Sequence, residues 1–140
     1  MRTVAARGFD ALADAFERAM PFGSQARTPE DARARFVRLA LAYVEFARSR
    51  TELWRLMFGP MGLVPTPISD RPSTYDWLAK SLTELATFEI IAKPLPEHQF
   101  FAWSAIHGLS DLQNSPAIDG QSNRTSVERH CTLIICALAN

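Results

Sequence analysis

Three histidines and two cysteines are the side chains of this chain best suited to catalysis or metal binding. His107 and Asp111 are four residues apart, so on a helix they would share one face. Such a pair could hold a metal ion or relay a proton, although a single pair without a third ligand is a weak signal. The alternative, which the residue types favour, is a core histidine hydrogen-bonded to a neighbouring helix.

The cysteines indicate packing rather than chemistry. Cys131 follows His130 directly, and Cys136 lies five residues further on. Five residues correspond to about 140° around a helix, so we expect no disulfide between the two thiols. Both are predicted to be small buried apolar residues in a reducing compartment.

Several enzyme classes lack their sequence signatures here. The chain contains no G-x-G-x-x-G, P-loop, H-E-x-x-H or G-x-S-x-G motif. We therefore predict no catalytic residue, no metal and no cofactor, and we expect that the protein is not an enzyme.

Composition indicates one folded domain over residues 1–140. The chain is 47% hydrophobic and its formal net charge is zero, which argues against disorder and against a dedicated nucleic-acid binder. Nothing resembles a signal peptide, and the longest apolar run, residues 131–139, is far below the ~20 residues that span a bilayer. A cytoplasmic protein without membrane contact is the natural interpretation.

Helical periodicity and capping residues predict an all-α domain of six helices. The first covers residues 3–20, and the second begins at Pro29, with Thr28 as its N-cap and arginines such as Arg35 off its apolar stripe. The third covers Glu52 to Phe58. The remaining predictions are a helix from the Ser73 cap to about Lys93, a helix with Trp103 and His107, and a last helix opened by the capping box Thr125-x-x-Glu128. The proline-rich residues 59–72 and the polar residues 114–123 are predicted loops.

Aromatic side chains on the fourth helix offer a different kind of site. Trp77, Ser81, Glu84 and Phe88 share one face, which would suit the wall of an apolar cavity with a polar orienting group. The alternatives are that Ser81 and Glu84 face water and that the rings fill the core.

The last two helices, residues 100–112 and 131–139, are apolar on more than one side. A surface helix of a small domain should keep a polar face, so we expect these helices to meet their symmetry mates in a four-helix interface. Gly108, a costly residue inside a helix, suggests close backbone approach by another element. A central helix wrapped by its own chain is the alternative. The predicted dimer-interface residues are Ser104, Gly108, Asp111, Val127, Cys131, Ile134 and Leu138.

Four segments, taken in order, resemble one known family. They are Val4-Ala5-Ala6-Arg7-Gly8-Phe9, Tyr43-Val44-Glu45-Phe46-Ala47, Leu53-Trp54-Arg55-Leu56-Met57-Phe58 and Trp103-x-x-x-His107-Gly108. Over almost its whole length the chain is similar to the C-terminal ligand-binding and dimerisation domain of tetracycline-repressor-type (TetR) transcriptional regulators, in the subgroup with a Trp…His-Gly signature. The family's DNA-binding helix-turn-helix head would precede this domain, and there is no room for it ahead of Val4.

The resemblance implies a homodimeric sensor. A small, largely apolar molecule would enter a cavity among the first four helices and the Trp103 helix. The first helix would then shift and change the separation of two DNA-reading heads, so DNA would be a partner only through that head. The alternatives are a small all-α enzyme that uses His107 and Asp111, with or without a metal, and a ligand-free dimerisation module. The candidate ligand-binding residues are Trp54, Phe58, Met61, Trp77, Glu84, Phe88, Trp103 and His107.

Overall fold

The computed structural model describes residues 4–58, 71–113 and 124–139, and in these it contains six helices and no strand. The prediction of an all-α fold with six helices is thereby confirmed. None of the described helices is both long and apolar enough to cross a bilayer. The two predicted loops lie mostly or entirely outside the described residues. The helices are α1 (Val4–Ala19), α2 (Pro29–Ser49), α3 (Thr51–Phe58), α4 (Thr74–Thr87), α5 (Pro96–Gln113) and α6 (Arg124–Leu138).

Helix α2 is the centre of the fold, because each of the other five helices packs against it. Its apolar stripe recurs at three- and four-residue spacing and is buried along its length, from Phe36 through Tyr43 to Ala47. Fully burying one large apolar side chain contributes about 1.5–3 kcal/mol, so this stripe is a main source of stability. The stripe also fixes the direction in which Tyr43 points.

Two of the predicted helix starts are confirmed. The Thr28 hydroxyl accepts a hydrogen bond from the Asp31 N–H at 3.0 Å, and Pro29 occupies the first turn of α2. At α4, Ser73 and Asp76 form a reciprocal capping box. Such caps satisfy backbone donors that a helix leaves without partners.

The capping box predicted for the last helix is wrong. Helix α6 begins at Arg124, which places Thr125 inside the first turn rather than before it. The Glu128 carboxylate instead accepts a hydrogen bond from Arg124 Nε at 2.8 Å, one turn away.

Helix α4 ends at Thr87 and not near Lys93, which corrects the prediction. Glu89 adopts a left-handed conformation with φ of 60°. Its N–H bonds the Ala86 carbonyl, and the Ile90 N–H bonds the Leu85 carbonyl, in the pattern of a Schellman motif. Glycine usually occupies this position, so a glutamate there gives a sequence-based prediction no sign that the helix ends.

The close backbone approach expected at Gly108 is not found among the residues that the structure describes. A Cβ placed on Gly108 would meet nothing within 4 Å, whereas one placed on Gly8 would lie 2.5 Å from the Met57 sulfur. The glycine that lets two helices approach is therefore Gly8, where α1 lies against α3. A bulkier residue there would push against the buried Met57 side chain.

The structure corrects which face of α6 is free. Val127, Cys131, Ile134 and Leu138 were predicted to face a second copy, but all four are buried by the chain's own helices. The face left exposed carries Leu133, of which 67% is accessible, and Cys136. Cys136 is therefore not the buried residue that was expected, and both cysteines are free thiols as predicted.

Helix α5 also leaves apolar surface uncovered. Its first turns expose Phe100 and Phe101, its last turn exposes Leu112, and Ser104 and Asp111 lie exposed between them. Its buried positions are Ala102, Ile106 and Ser110. The helix is thus partly wrapped by its own chain and partly open to solvent.

Candidate functional site

Four aromatic rings from three helices contact the His107 imidazole, and we call these five residues the aromatic cluster. It consists of Tyr43 from α2, Trp54 and Phe58 from α3, and Trp103 and His107 from α5. The Trp54 ring lies nearly parallel to the imidazole at 4.8 Å, and the Phe58 ring meets the imidazole edge-on at 4.8 Å. The α3 and α5 pairs are each four residues apart, so each pair presents both rings on one helix face.

The Tyr43 hydroxyl is the polar centre of the aromatic cluster. It lies 2.6 Å from His107 Nδ1, and Trp103 Nε1 donates to its oxygen at 3.3 Å. The hydroxyl can donate its proton to Nδ1 while its oxygen accepts from Trp103, and in that arrangement the proton of a neutral His107 lies on Nε2. His107 is thus hydrogen-bonded to a neighbouring helix, as one interpretation of the sequence expected, but it is half-buried rather than a core residue.

Both titratable groups of this centre are neutral near pH 7. Burial lowers the pKa of His107, and the Asp111 carboxylate one turn away opposes that shift only in part. Burial also raises the pKa of Tyr43 far above its ordinary value, even though the neighbouring Trp103 and Trp54 indoles act to lower it. The aromatic cluster is therefore an uncharged, half-buried site with hydrogen-bonding groups at its centre.

The lowered pKa of His107 predicts that stability falls as the pH drops below 6.5, the imidazole's ordinary value. Between that pH and the folded-state pKa, the unfolded chain binds more protons than the folded chain, so stability is complete above this window and is lost within it. Protonation also removes Nδ1 as the acceptor for Tyr43. Urea unfolding from pH 8 to pH 5 should show a steeper loss for the wild type than for His107→Gln, by up to about 1.4 kcal/mol per pH unit. Parallel curves would contradict this expectation, because the two proteins differ in no other titratable side chain.

Trp54 is the most deeply buried indole of the cluster, at 2% exposure, yet its Nε1 has no hydrogen-bond partner. The N–H lies close enough to the Tyr43 hydroxyl to help lower its pKa, but it does not reach hydrogen-bond geometry. Buried indole donors usually find an acceptor. An unused donor thus remains beside the polar centre.

Trp77 and Glu84 were predicted to line the same site, and the structure places them elsewhere. The Trp77 ring packs on Phe16 and Phe22 at 6.2 and 5.1 Å, and its Nε1 donates to the Met20 carbonyl at 3.0 Å. Ser81 and Glu84 are both buried, so the alternative in which they face water is wrong.

The Glu84 carboxylate is fully engaged in a buried ion pair that sequence reasoning did not find. Arg35 Nε and Nη2 donate to its two oxygens at 2.7 and 3.0 Å, and the Ala26 N–H approaches Oε2 at 3.3 Å. Arg35 also donates to the Ser24 hydroxyl and carbonyl. This network ties the segment between α1 and α2 to α4, and it occupies both carboxylate oxygens of Glu84 with donors from the protein itself.

Of the other two predicted ligand residues, the structure places only Phe88, which is not part of the aromatic cluster. Phe88 is the half-buried C-cap of α4, and Met61 lies outside the described residues. Four of the eight candidates, all in α3 and α5, are therefore brought together. The residue that prediction missed is Tyr43, which the α2 stripe already contained as an ordinary core position.

A shallow cleft of about 690 Å³ borders the cluster on the outside, between α4 and the start of α5. The Tyr75 ring at its edge meets the Trp103 ring edge-on at 6.1 Å. The cleft is lined by Tyr75, Ala79, Leu82, Thr83, Ala86, Thr87, Lys93, Pro94, Leu95, Pro96 and Gln99.

Within the described residues no group of three histidines, cysteines or acids could hold a metal ion, so His107 and Asp111 gain no third ligand there.

Comparison with known proteins identifies a solved structure with a similar fold, whose description gives no activity. No family model matches the chain, and no curated protein matches it. A solved structure from Rhodococcus sp. RHA1, described as a protein with unknown function, is similar with a TM-score of 0.73 and 27% sequence identity. The match covers 98% of this chain and 70% of that one. The six-helix arrangement thus occurs in a second protein.

Proposed function

We propose that this chain is the effector-binding and dimerisation domain of a TetR-type transcriptional regulator, and that the aromatic cluster recognises a small, largely apolar molecule. The observation that carries the proposal is the neutral polar centre inside a ring of aromatic side chains. Apolar walls with a few placed polar groups are typical of small-molecule sites. Trp103 and His107, the residues of the family-like signature, supply two of the five rings.

The contacts of α3 supply a route from this site to α1. Phe58 of the cluster packs edge-on against Phe9 of α1 at 5.3 Å, and Gly8 of the same helix lies directly against Met57. A ligand that displaces Phe58 would therefore change the position of α1. In the regulators that this chain resembles, the corresponding helix leads to the DNA-binding head, and a coupling of 1–3 kcal/mol changes DNA affinity about 5–150-fold.

The second part of the proposal is a homodimer through the uncovered faces of α5 and α6. Phe100, with 59% of its surface exposed, and Leu133 are large apolar side chains in water within one subunit. Contiguous exposed apolar surface marks interaction sites. The same proposal implies the cytoplasm as the compartment, since a DNA-directed regulator acts in the compartment that holds its DNA.

Ligand binding is tested with the tryptophans as reporters. In a Trp77→Phe variant only Trp54 and Trp103, both in the cluster, remain fluorescent. We expect an apolar compound that raises the melting temperature in a thermal-shift screen to quench this variant strongly. The matched control, Trp54→Phe with Trp103→Phe, retains Trp77 alone and should respond weakly. If no apolar compound raises the melting temperature, the ligand-free dimerisation module replaces the sensor.

Dimerisation is tested by sedimentation of Leu133→Glu. We expect the wild type to sediment as a dimer at micromolar concentration and the variant as a monomer, because a buried unpaired carboxylate is costly. Thr132→Glu, which adds the same charge at the neighbouring exposed position, is the control. If the wild type sediments as a monomer at micromolar concentration, the proposed homodimer is wrong.

A further inference from the structure

We propose that the ligand of the aromatic cluster carries an uncharged hydrogen-bond acceptor, such as a ketone or ester carbonyl, which accepts from Trp54 Nε1 and His107 Nε2. The inference rests on the proposed function, because it takes the aromatic cluster as the ligand site. It adds the chemical class of the group that the site recognises.

The first donor is the indole of Trp54. Its ring is held by stacking on the imidazole, and its Nε1 is buried without a partner. An indole nitrogen can only donate, so the group that completes it must be an acceptor. Leaving a buried donor unpaired is unfavourable, so a ligand that supplies the acceptor gains the free energy of a hydrogen bond that the free protein does not form.

The second donor is Nε2 of His107. When the Tyr43 hydroxyl donates to Nδ1, the imidazole proton lies on Nε2, and no described residue is hydrogen-bonded to that nitrogen. His107 is half-buried, as are Phe58 and Trp103 beside it. The cluster therefore has an accessible part, formed by rings whose faces suit a flat apolar body.

The charges around the cluster select an uncharged acceptor over a carboxylate. Both cation–π contacts of the described chain involve other rings, those of Phe46 and Phe22. The charge that does reach the imidazole is negative, since the Asp111 carboxylate acts on the titration of His107. An anion would lose its hydration and would face repulsion from Asp111.

Three compounds of nearly equal shape test the inference by calorimetry: 2-acetylnaphthalene, 2-isopropenylnaphthalene and 2-naphthoate. The first presents a carbonyl oxygen, the second replaces it with a methylene group, and the third is an anion. We expect the ketone to bind about tenfold more tightly than the hydrocarbon, since one hydrogen bond to a buried donor has an effect of that size. The naphthoate should bind most weakly.

The Trp54→Phe variant removes one donor and keeps an aromatic ring. We expect it to reduce the preference for the ketone over the hydrocarbon towards unity, whereas Trp77→Phe, outside the cluster, should leave that preference unchanged. If Trp54→Phe does not fold, the comparison of the three compounds on the wild type decides alone.

The outcomes separate this inference from the proposed function. Equal binding of all three compounds, or tightest binding of the naphthoate, overturns the uncharged acceptor and leaves a ligand site in place. If none of the three binds, the inference fails, and the wider thermal-shift screen decides whether the sensor fails with it.

Discussion

Glu84→Ala is expected to lower the free energy of unfolding by about 3–5 kcal/mol, because it leaves the Arg35 guanidinium buried without its counter-charge. Only 5% of each side chain in this pair is exposed, and the pair is bidentate. The same substitution also removes the acceptor for the Ala26 N–H. Urea unfolding measures the effect as a lower midpoint at an unchanged slope.

An exposed ion pair of the same chemistry provides the control. Arg48 and Glu45 approach to 2.6 Å on the surface of α2, where more than half of each side chain is exposed. Glu45→Ala should change the stability by about 0–1 kcal/mol, since solvent screens such a pair. A loss of similar size in both variants would mean that burial does not set the strength of the Arg35–Glu84 pair.

A double replacement separates pairing from burial. Substituting both partners together, as Arg35→Met with Glu84→Leu, should cost less than Glu84→Ala alone, because it leaves no unpaired buried charge. Ligand affinity at the aromatic cluster should be unchanged in this double variant under conditions where the protein is folded. A selective loss of affinity would return Glu84 to the ligand site for which the sequence proposed it.

The predictions that held were those that depend on neighbours in sequence. The caps at Thr28 and Ser73 join residues three apart, and the stripe of α2 repeats every three or four residues. Local chemistry decides these features, but it was not sufficient at α6, where the equally local Thr125–Glu128 capping box did not form. The end of α4 shows the limit, because Glu89 occupies a left-handed position for which glycine is the usual signal.

The two ring pairs of the candidate site could be predicted separately, but their meeting could not. The α3 pair and the α5 pair each follow from helical spacing, but their meeting around Tyr43 depends on how both helices cross α2. The Arg35–Glu84 pair joins residues that are 49 positions apart, and no local sequence pattern predicts it. Which face of α6 turns inward likewise depends on its rotation against α2. The apolar residues on both sides of that helix left this choice open.

Trp77→Ala is the second change for which we expect a large loss, about 3–5 kcal/mol of unfolding free energy. The side chain is almost wholly buried, and its removal leaves a cavity between α1 and α4 beside Phe16. The substitution also leaves the Met20 carbonyl, just after the end of α1, without its hydrogen bond. Urea unfolding measures this loss, and Tyr75→Ala, at an exposed position on the same helix, is the matched control and should cost much less.

The milder variant Trp77→Phe asks whether Trp77 belongs to the ligand site. It keeps most of the packing and removes the hydrogen bond, so it should cost about 1–3 kcal/mol and remain folded. Its affinity for a ligand of the aromatic cluster should equal that of the wild type, because Trp77 lies outside the cluster and is linked to it through Phe16. Phe16 contacts both Trp77 and Tyr43, at 6.2 and 6.3 Å. Weakened binding in Trp77→Phe would therefore mean that the ligand site extends along Phe16 into the α1–α4 contact, as the sequence first suggested.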